Sequence, residues 1–132
     1  MDINVYLCAK IENMAVITFE DLDAWRESMK LVKDVYALTK KFPQEERFGL
    51  TSQVQRAVVS IPSNIAEGHG RYSKSEFANF VSISHGSLNE VRTQIRIAQM
   101  LGYISDNEAN DIIAKCTTIG KILGGLMKSL KQ

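Results

Sequence analysis

Histidine and cysteine are the side chains that most often bind metals or act as nucleophiles, and this chain of 132 residues has two of each. His69 lies between two glycines and His85 lies within a helical pattern, with no second histidine or cysteine at the spacing of metal ligands. Cys8 and Cys116 are far apart, and Cys116 falls on an apolar helical stripe. We therefore expect no metal, and buried or free thiols in a reducing compartment in preference to a disulfide.

The chain also lacks the short motifs of common catalytic sites. It contains no G-x-S-x-G, no phosphate-binding G-x-x-x-x-G-K, no G-x-G-x-x-G and no H-E-x-x-H. The E-x-x-H pattern of di-iron helical bundles is absent as well. We therefore predict a protein that is not an enzyme and has no catalytic residues, metal or cofactor.

Charged pairs are the next candidates for chemistry. Glu67 and Arg71 are four residues apart and can pair across a helix end. Arg56 and Glu90 can form a polar bridge between two helices. Such pairs usually fix the register of a helical bundle, and we favour that interpretation over a ligand site.

Short basic stretches on the third and fourth predicted helices are candidate nucleic-acid contacts. They contain Arg92, Arg96, Lys121, Lys128 and Lys131. Solvated helix faces produce the same pattern, so the signal is weak. Sixteen basic against fifteen acidic residues leave a net charge of +1, which argues against the broad positive surface of a nucleic-acid binder. Any RNA role therefore requires a local patch or an assembly of several chains.

The unusual segment is residues 53–71, Q-V-Q-R-A-V-V-S-I-P-S-N-I-A-E-G-H-G-R, with Pro62 at its centre. Apolar residues keep helical spacing on both sides of the proline, so a helix that starts near residues 49–51 is predicted to continue through it with a kink. The carbonyl of Val58 then loses its partner. Some nearby polar groups should turn inward to bond the kinked backbone. Those polar residues are Gln53, Arg56, Ser60, Ser63, Asn64 and Glu67, and Gly68 with Gly70 is expected to end the helix.

The helix before this segment is predicted over residues 19–41, with Thr18 as its N-cap. It has two apolar stripes at helical spacing, whereas one stripe is enough to close a four-helix core. We expect the first stripe to face the core and the second to need cover from another chain. The first consists of Leu22, Trp25, Met29, Val32 and Tyr36, and the second of Leu31, Val35, Leu38 and Phe42.

Two further helices begin with capping boxes, S-K-S-E at residues 73–76 and S-D-N-E at residues 105–108. Leu101 and Gly102 should end the first of these. Its small polar residues should approach or bond the Pro62 segment, and they are Ser82, Ser84, Gly86 and Ser87. Short connections make successive helices antiparallel, which predicts an all-α, up-down-up-down four-helix bundle.

Glycines in the last helix are a separate feature. Each glycine inside a helix costs about 1 kcal/mol relative to alanine, so another helix is expected to pack closely against them. The residues concerned are Gly120, Gly124 and Gly125.

Length and composition fit one domain, with residues 18–132 as the bundle and residues 1–17 as a poorly ordered tail or extension. No apolar run approaches the roughly 20 residues that a membrane span needs, so we expect no membrane association. Residues 1–15 do not read as a signal peptide, because Asp2 replaces the basic start and Lys10 and Glu12 interrupt the apolar run. Met14 is a second candidate initiator. These features favour a cytoplasmic protein.

The segment R-A-V-V-S-I-P-S-N-I-A-E-G-H-G-R, together with G-S-L-N-E at residues 86–90, resembles the bacterial four helix bundle protein family, also called the 23S ribosomal RNA intervening-sequence protein family. The resemblance extends over about residues 19–130 and implies the four-helix fold. It gives the polar residues around Pro62 a structural role, without a reaction. The motif comprises Arg56, Ser60, Pro62, Ser63, Asn64, Glu67, Gly68, Arg71, Gly86, Ser87 and Glu90.

Two functions remain open at this point. The favoured one is a non-enzymatic scaffold or interaction protein that assembles with copies of itself, and the resemblance implies a ring of five. The alternative is an RNA-binding accessory protein acting with ribosomal RNA or a reverse transcriptase, because the chain is also similar to the accessory proteins of diversity-generating retroelements.

Overall fold

A computed structural model describes residues 18–132 of the chain, which form an all-α bundle of four helices. The helices are α1 (Asp23–Thr39), α2 (Leu50–His69), α3 (Lys74–Met100) and α4 (Asp106–Leu130), with single 3-10 turns at Phe19–Asp21 and Gln44–Glu46. The predicted tail, with Cys8 and Met14, lies outside the described residues. None of the four helices is long and apolar enough to cross a membrane.

Each helix packs against its neighbour in sequence, and α1 also packs against α4. The side-chain contacts between helices pair rising residue numbers on one helix with falling numbers on its partner, so the paired helices run antiparallel. The pairs are Ser60 with Ser87 and Ile61 with Ser84 between α2 and α3, Arg92 with Thr117 and Arg96 with Asn110 between α3 and α4, and Asp34 with Lys115 and Lys41 with Glu108 between α1 and α4.

Helix α1 starts later than the sequence predicts. Thr18 does act as a cap, because its hydroxyl accepts from the Glu20 amide at 3.2 Å, but it caps the 3-10 turn and not the helix. Leu22 then adopts an extended backbone, so α1 begins at Asp23, and it ends at Thr39 instead of residue 41. The prediction that Thr18 is a cap is confirmed, but the prediction of one continuous helix from residue 19 to residue 41 is wrong.

The caps of α3 and α4 follow the prediction more closely. Ser73 accepts from the Glu76 amide at 3.1 Å, although the return bond of a capping box is not recorded in α3. Ser105 and Glu108 form both bonds of the box, at 3.1 and 2.9 Å. Gly102 has a φ of +78°, which is the left-handed conformation that a glycine stop provides after α3.

The core contradicts the assignment of the two α1 stripes. Leu31, Val35, Leu38 and Phe42 are buried, whereas Met29 and Tyr36 are 43% and 42% exposed. The buried face also includes Ala24 and Ser28, whose small side chains let α1 approach its neighbours closely. Long aliphatic side chains fill the core, while tryptophan, tyrosine and methionine, which tolerate partial exposure, lie along the outer edge.

The sequence analysis proposed that Gly68 and Gly70 end α2, but Gly68 lies inside the helix. The helix continues to His69, and Gly70 caps it in an ordinary right-handed conformation. A Cβ atom at Gly68 would lie 2.6 Å from Phe80 Cβ and 2.9 Å from Phe77 Cδ1. Glycine at this position therefore permits the close approach of α2 and α3.

Among the glycines of α4, only Gly120 contacts another helix of the described chain, because a Cβ there would lie 3.6 Å from Leu88 Cδ2. A Cβ at Gly124 or Gly125 would meet nothing within 4 Å. The predicted close helix packing therefore holds within the chain at one of the three positions.

Candidate interaction surfaces

A chain of hydrogen bonds surrounds Pro62, which is buried inside α2. Ser63 Oγ donates to the Val59 carbonyl at 2.8 Å, and Asn64 Nδ2 donates to both the carbonyl and the hydroxyl of Ser60 at 2.8 Å. From α3, the fully buried Ser84 donates to the Ile61 carbonyl at 2.9 Å. Three successive carbonyls before the proline, those of Val59, Ser60 and Ile61, thus accept side-chain donors, whereas the sequence analysis expected the Val58 carbonyl to need one.

The inward-facing part of this cluster is smaller than expected. Ser60 and Asn64 are half-buried, and the Ser60 and Ser87 hydroxyls lie 2.9 Å apart. Gln53, Arg56, Ser63 and Glu67 are exposed instead. Of these four, Ser63 bonds the Val59 carbonyl and Glu67 pairs with Arg71.

Replacing Asn64 with leucine should destabilise the protein by about 1 kcal/mol, because the Ser60 carbonyl and hydroxyl each lose a donor in a half-buried setting. Leucine favours the helix more than asparagine does, which offsets part of the loss. The exposed Asn79, on α3, provides a matched control, and Asn79→Leu should be slightly stabilising through the same gain in helix propensity. Urea titrations of the two variants and the parent make the comparison. Equal stability of Asn64→Leu and the parent would contradict a role for Asn64 in supporting the Pro62 turn.

Glu67 and Arg71 form the predicted ion pair, with 3.0 Å between Oε1 and Nη2. The Arg71 guanidinium also lies 4.8 Å from the ring centroid of Phe80. Both charged side chains are substantially exposed, so the pair contributes little to stability by itself. Gly86, the other glycine of the motif, is exposed, and a Cβ there would meet nothing within 4 Å.

Arg56 and Glu90 do not form the predicted bridge: within the described residues, no ion pair joins them. Both side chains are exposed and line one groove between α2 and α3, together with Ser60, Ser87 and Gln94. Gln94 is 9% exposed, and its Oε1 is buried without a hydrogen-bond donor. Sequence reasoning missed Gln94, although its spacing from Ser87 and Val91 places it on their face of α3.

The basic residues of α3 and α4 divide into two groups. Arg92 and Arg96 line a groove of about 470 Å³ with Ile97, Met100 and Ile113. Both arginines donate hydrogen bonds to neutral side chains. Arg92 Nη2 donates to the Thr117 hydroxyl at 3.0 Å. Arg96 Nη1 donates to the amide oxygens of Gln99 and Asn110 at 2.7 and 3.1 Å. Within residues 18–132, no ion pair joins either arginine to a carboxylate. The exposed lysines form the other group, outside this groove: Lys121, Lys128 and Lys131.

The outer stripe of α1 is an apolar feature that the sequence analysis placed in the core. Three of its members, Leu22, Trp25 and Val32, are half-buried. Gln55 Nε2 donates to Thr39 Oγ1 at 3.1 Å, which sets the register between α1 and α2. Because the helices are antiparallel, Val59 lies one turn further along α2, near the level of Tyr36. Val59 is itself 40% exposed.

Two of the reactive side chains in residues 18–132, Cys116 and His69, are shielded from solvent. Cys116 is a buried free thiol, and burial raises its pKa to about 11 although the Arg92 charge opposes the shift. Burial lowers the pKa of His69, whose ring packs against Phe77 and whose Nε2 has no partner among the described residues. His85 is exposed. No group of three or more His, Cys, Asp or Glu residues in 18–132 is arranged to hold a metal ion.

Comparisons with known proteins support the same fold. The family model described as 23S rRNA-intervening sequence protein matches residues 20–125. The crystal structure of a protein of unknown function from the S23 ribosomal protein family of Bacteroides thetaiotaomicron has 24% sequence identity and a TM-score of 0.74, and the match covers 80% of this chain and 98% of that one. No curated protein matches the chain. The solved structure bears on the fold alone, whereas the family match spans most of the chain.

Proposed function

The chain belongs to the 23S rRNA-intervening sequence protein family, and we propose that it is a non-enzymatic, self-assembling scaffold or interaction protein of the cytoplasm. The observation that carries this proposal is the outer stripe of α1, which we call the α1 stripe. It consists of Leu22, Trp25, Met29, Val32 and Tyr36.

Within the α1 stripe, Leu22, Trp25 and Val32 pack partly against the core, and two large apolar side chains are left exposed on the same face. Met29 and Tyr36 are 43% and 42% exposed, Trp25 is half-buried, and Val59 of α2 is a further exposed apolar residue. Monomeric soluble proteins rarely leave contiguous apolar patches uncovered. Tryptophan, tyrosine and methionine are also the residue types enriched in protein interfaces. A second copy of the chain is therefore the proposed occupant.

Identical chains usually assemble with closed symmetry, so the expected product is a ring or a dimer of defined size. The number five comes from the resemblance to the family and not from the geometry of this chain. Light scattering coupled to size exclusion tests the proposal at micromolar concentration. A monodisperse species at 14.8 kDa would overturn self-assembly, whereas a dimer would keep it and exclude the ring of five.

RNA binding is the second candidate, and the groove of Arg92 and Arg96 is the observation that favours it. Two unneutralised guanidinium groups one turn apart can contact successive phosphates, and Ile97, Met100 and Ile113 offer an apolar wall to a base. The net charge of +1 limits this surface to a local patch on each chain. Assembly would bring several such patches together.

RNA binding through this groove should weaken steeply as salt increases. Each lost phosphate contact reduces the slope of log K against log salt by about 0.7 for a single strand. We expect Arg92→Gln with Arg96→Gln to reduce the slope accordingly in gel-shift titrations with a labelled single-stranded RNA. Lys30→Gln with Arg47→Gln removes the same charge elsewhere and serves as the control. Tight binding that ignores salt, or that survives loss of Arg92, Arg96, Lys121 and Lys128, would place the RNA site elsewhere.

A further inference from the structure

A second groove lies between α3 and α4, further along the same seam as the groove of Arg92 and Arg96. It measures about 250 Å³. We call it the glycine groove, because a Cβ at Gly124 would meet nothing within 4 Å and the backbone of α4 is therefore open at this point. The lining residues are Val81, Ser82, His85, Leu123, Gly124 and Met127.

The packing of the chain does not require a glycine at position 124. Glycine lowers helix propensity relative to alanine, and the structure has room for a side chain at this position. Gly68 is different, because a Cβ there would lie 2.6 Å from Phe80 Cβ. At Gly124 the missing side chain instead lets a molecule outside the chain approach the helix backbone closely.

The glycine groove and the groove of Arg92 and Arg96 form one surface, which we call the α3–α4 track. Arg92 lies between them, because its Nη2 donates to Thr117 of α4 at 3.0 Å and lies 4.0 Å from the position of a Cβ at Gly120. From Ser82 to Arg96 the track runs about 21 Å along the axis of α3, at a rise of about 1.5 Å per residue. An extended ligand can therefore contact both grooves at once.

The α3–α4 track differs in charge from the grooves at other helix seams. No carboxylate of the described residues lines either of its two grooves. In contrast, Glu90 lines the groove between α2 and α3, and Asp34 lines the grooves between α1 and α4. Lys121 and Lys128 are exposed on the same face of α4 as Gly124, about one turn to either side. An anionic ligand on the track therefore meets basic side chains and no carboxylate in the lining of its grooves.

We propose that the α3–α4 track binds single-stranded RNA along the bundle axis, with phosphates at its basic side chains and one base in the glycine groove. The apolar side chains of Val81, Leu123 and Met127 offer a surface to the base. The open backbone at Gly124 lets the sugar-phosphate chain lie close to α4. This track rests on the RNA binding proposed for the groove of Arg92 and Arg96, and it extends that site by a second groove.

Charge favours RNA over a second copy of the chain as the occupant of the glycine groove. The exposed Lys33 and Lys40 flank the α1 stripe, since they follow Met29 and Tyr36 by one helical turn. A second copy that placed its α1 stripe in the glycine groove would bring these lysines toward the basic side chains of the track. RNA brings phosphates to the same place.

Gly124→Gln in the full-length chain tests the track. The new side chain fills the glycine groove without changing the charge, and its Cβ meets no other atom within 4 Å. Affinity for a labelled single-stranded oligouridylate of about eight nucleotides should fall about tenfold in fluorescence anisotropy, because one base contact is lost. Gly125→Gln is the matched control and should bind as the parent does, since Gly125 is exposed beside Gly124 but does not line the groove.

The lysines of the track provide a second measurement. Lys121→Gln with Lys128→Gln should reduce the slope of log K against log salt by about 1.4, because two phosphate contacts to a single strand are lost. Lys30→Gln with Arg47→Gln removes the same charge away from the track and should leave the slope unchanged. An unchanged slope in the Lys121 and Lys128 variant would overturn the phosphate contacts of the track.

The outcomes separate this track from the proposed RNA binding. If the parent binds through Arg92 and Arg96 but Gly124→Gln binds equally well, the track is wrong and the first groove stands. A parent that binds no RNA overturns both. An equal loss in Gly124→Gln and Gly125→Gln contradicts a role for the glycine groove. Dissociation of an assembled protein by Gly124→Gln alone, detected by light scattering, would identify a contact between copies and overturn the track. Circular dichroism verifies that every variant keeps its helices.

Discussion

Gly68→Val is expected to destabilise the bundle by about 3 kcal/mol, because the new side chain must occupy space already filled by α3. Its Cβ would lie 2.6 Å from Phe80 Cβ and 2.9 Å from Phe77 Cδ1. The Cβ of Phe80 is tied to the α3 backbone and cannot rotate away, and Phe77 is 5% exposed in a packed core. Helices α2 and α3 would therefore have to separate along the interface that also holds the Pro62 network.

Two other variants calibrate this result. Gly68→Ala places only the Cβ in the crowded space and gains helix propensity, so its loss should be smaller than that of Gly68→Val. Gly125→Ala adds a Cβ where nothing lies within 4 Å and should stabilise the helix by up to about 1 kcal/mol. Denaturant titrations at one fixed protein concentration keep assembly from distorting the comparison. A Gly68→Val protein as stable as the parent would contradict the close packing of α2 against α3.

The sequence predicts the fold well because the signals for the helices are local. Capping residues such as Ser73 and Ser105, and the glycine stop at Gly102, act through bonds between residues close in sequence. The continuous helix through Pro62 was also predictable, since apolar spacing is preserved on both sides of the proline. The function of Gly68 was not predictable, because it depends on Phe80 of another helix.

The two α1 stripes show what hydrophobic periodicity cannot predict. Both repeat at helical spacing, so the period alone does not decide which stripe faces the core. Size and chemistry were the better guides: Leu31 and Val35 are compact and aliphatic, while Trp25 and Tyr36 carry polar atoms that suit a partly exposed edge. Ala24 and Ser28 were the overlooked signal, because small residues on one face of a helix often mark close packing.

The candidate sites were predicted less completely than the fold. The predicted ion pair between Glu67 and Arg71 was correct, because the two residues lie one helical turn apart in the sequence. Arg56 with Glu90 was wrong as a bridge within the chain, since their separation depends on how far apart α2 and α3 lie. Gln94 was missed because a lone glutamine in an apolar stripe resembles an ordinary surface residue until its burial is known.

Met29→Glu combined with Tyr36→Glu is expected to convert the assembled protein into monomers. In a free chain both side chains are about two-fifths exposed, so the carboxylates can reach water and the bundle should keep its fold. In an assembly that covers the α1 stripe, each carboxylate would be buried without a partner, at a cost of at least about 2 kcal/mol. Together they should weaken association roughly a thousandfold.

Met100→Glu combined with Tyr72→Glu is the matched control for this pair, because it makes the same two replacements at exposed positions outside the α1 stripe, where Met100 is 76% and Tyr72 is 106% exposed. Light scattering over a range of concentrations should detect monomers only for the stripe variant, while circular dichroism should find equal helix content in both. Dissociation of both variants would indicate a general effect of negative charge. An unchanged oligomer in the stripe variant would exclude the α1 stripe as the assembly surface, because two unpaired carboxylates cannot remain buried in an apolar interface at little cost.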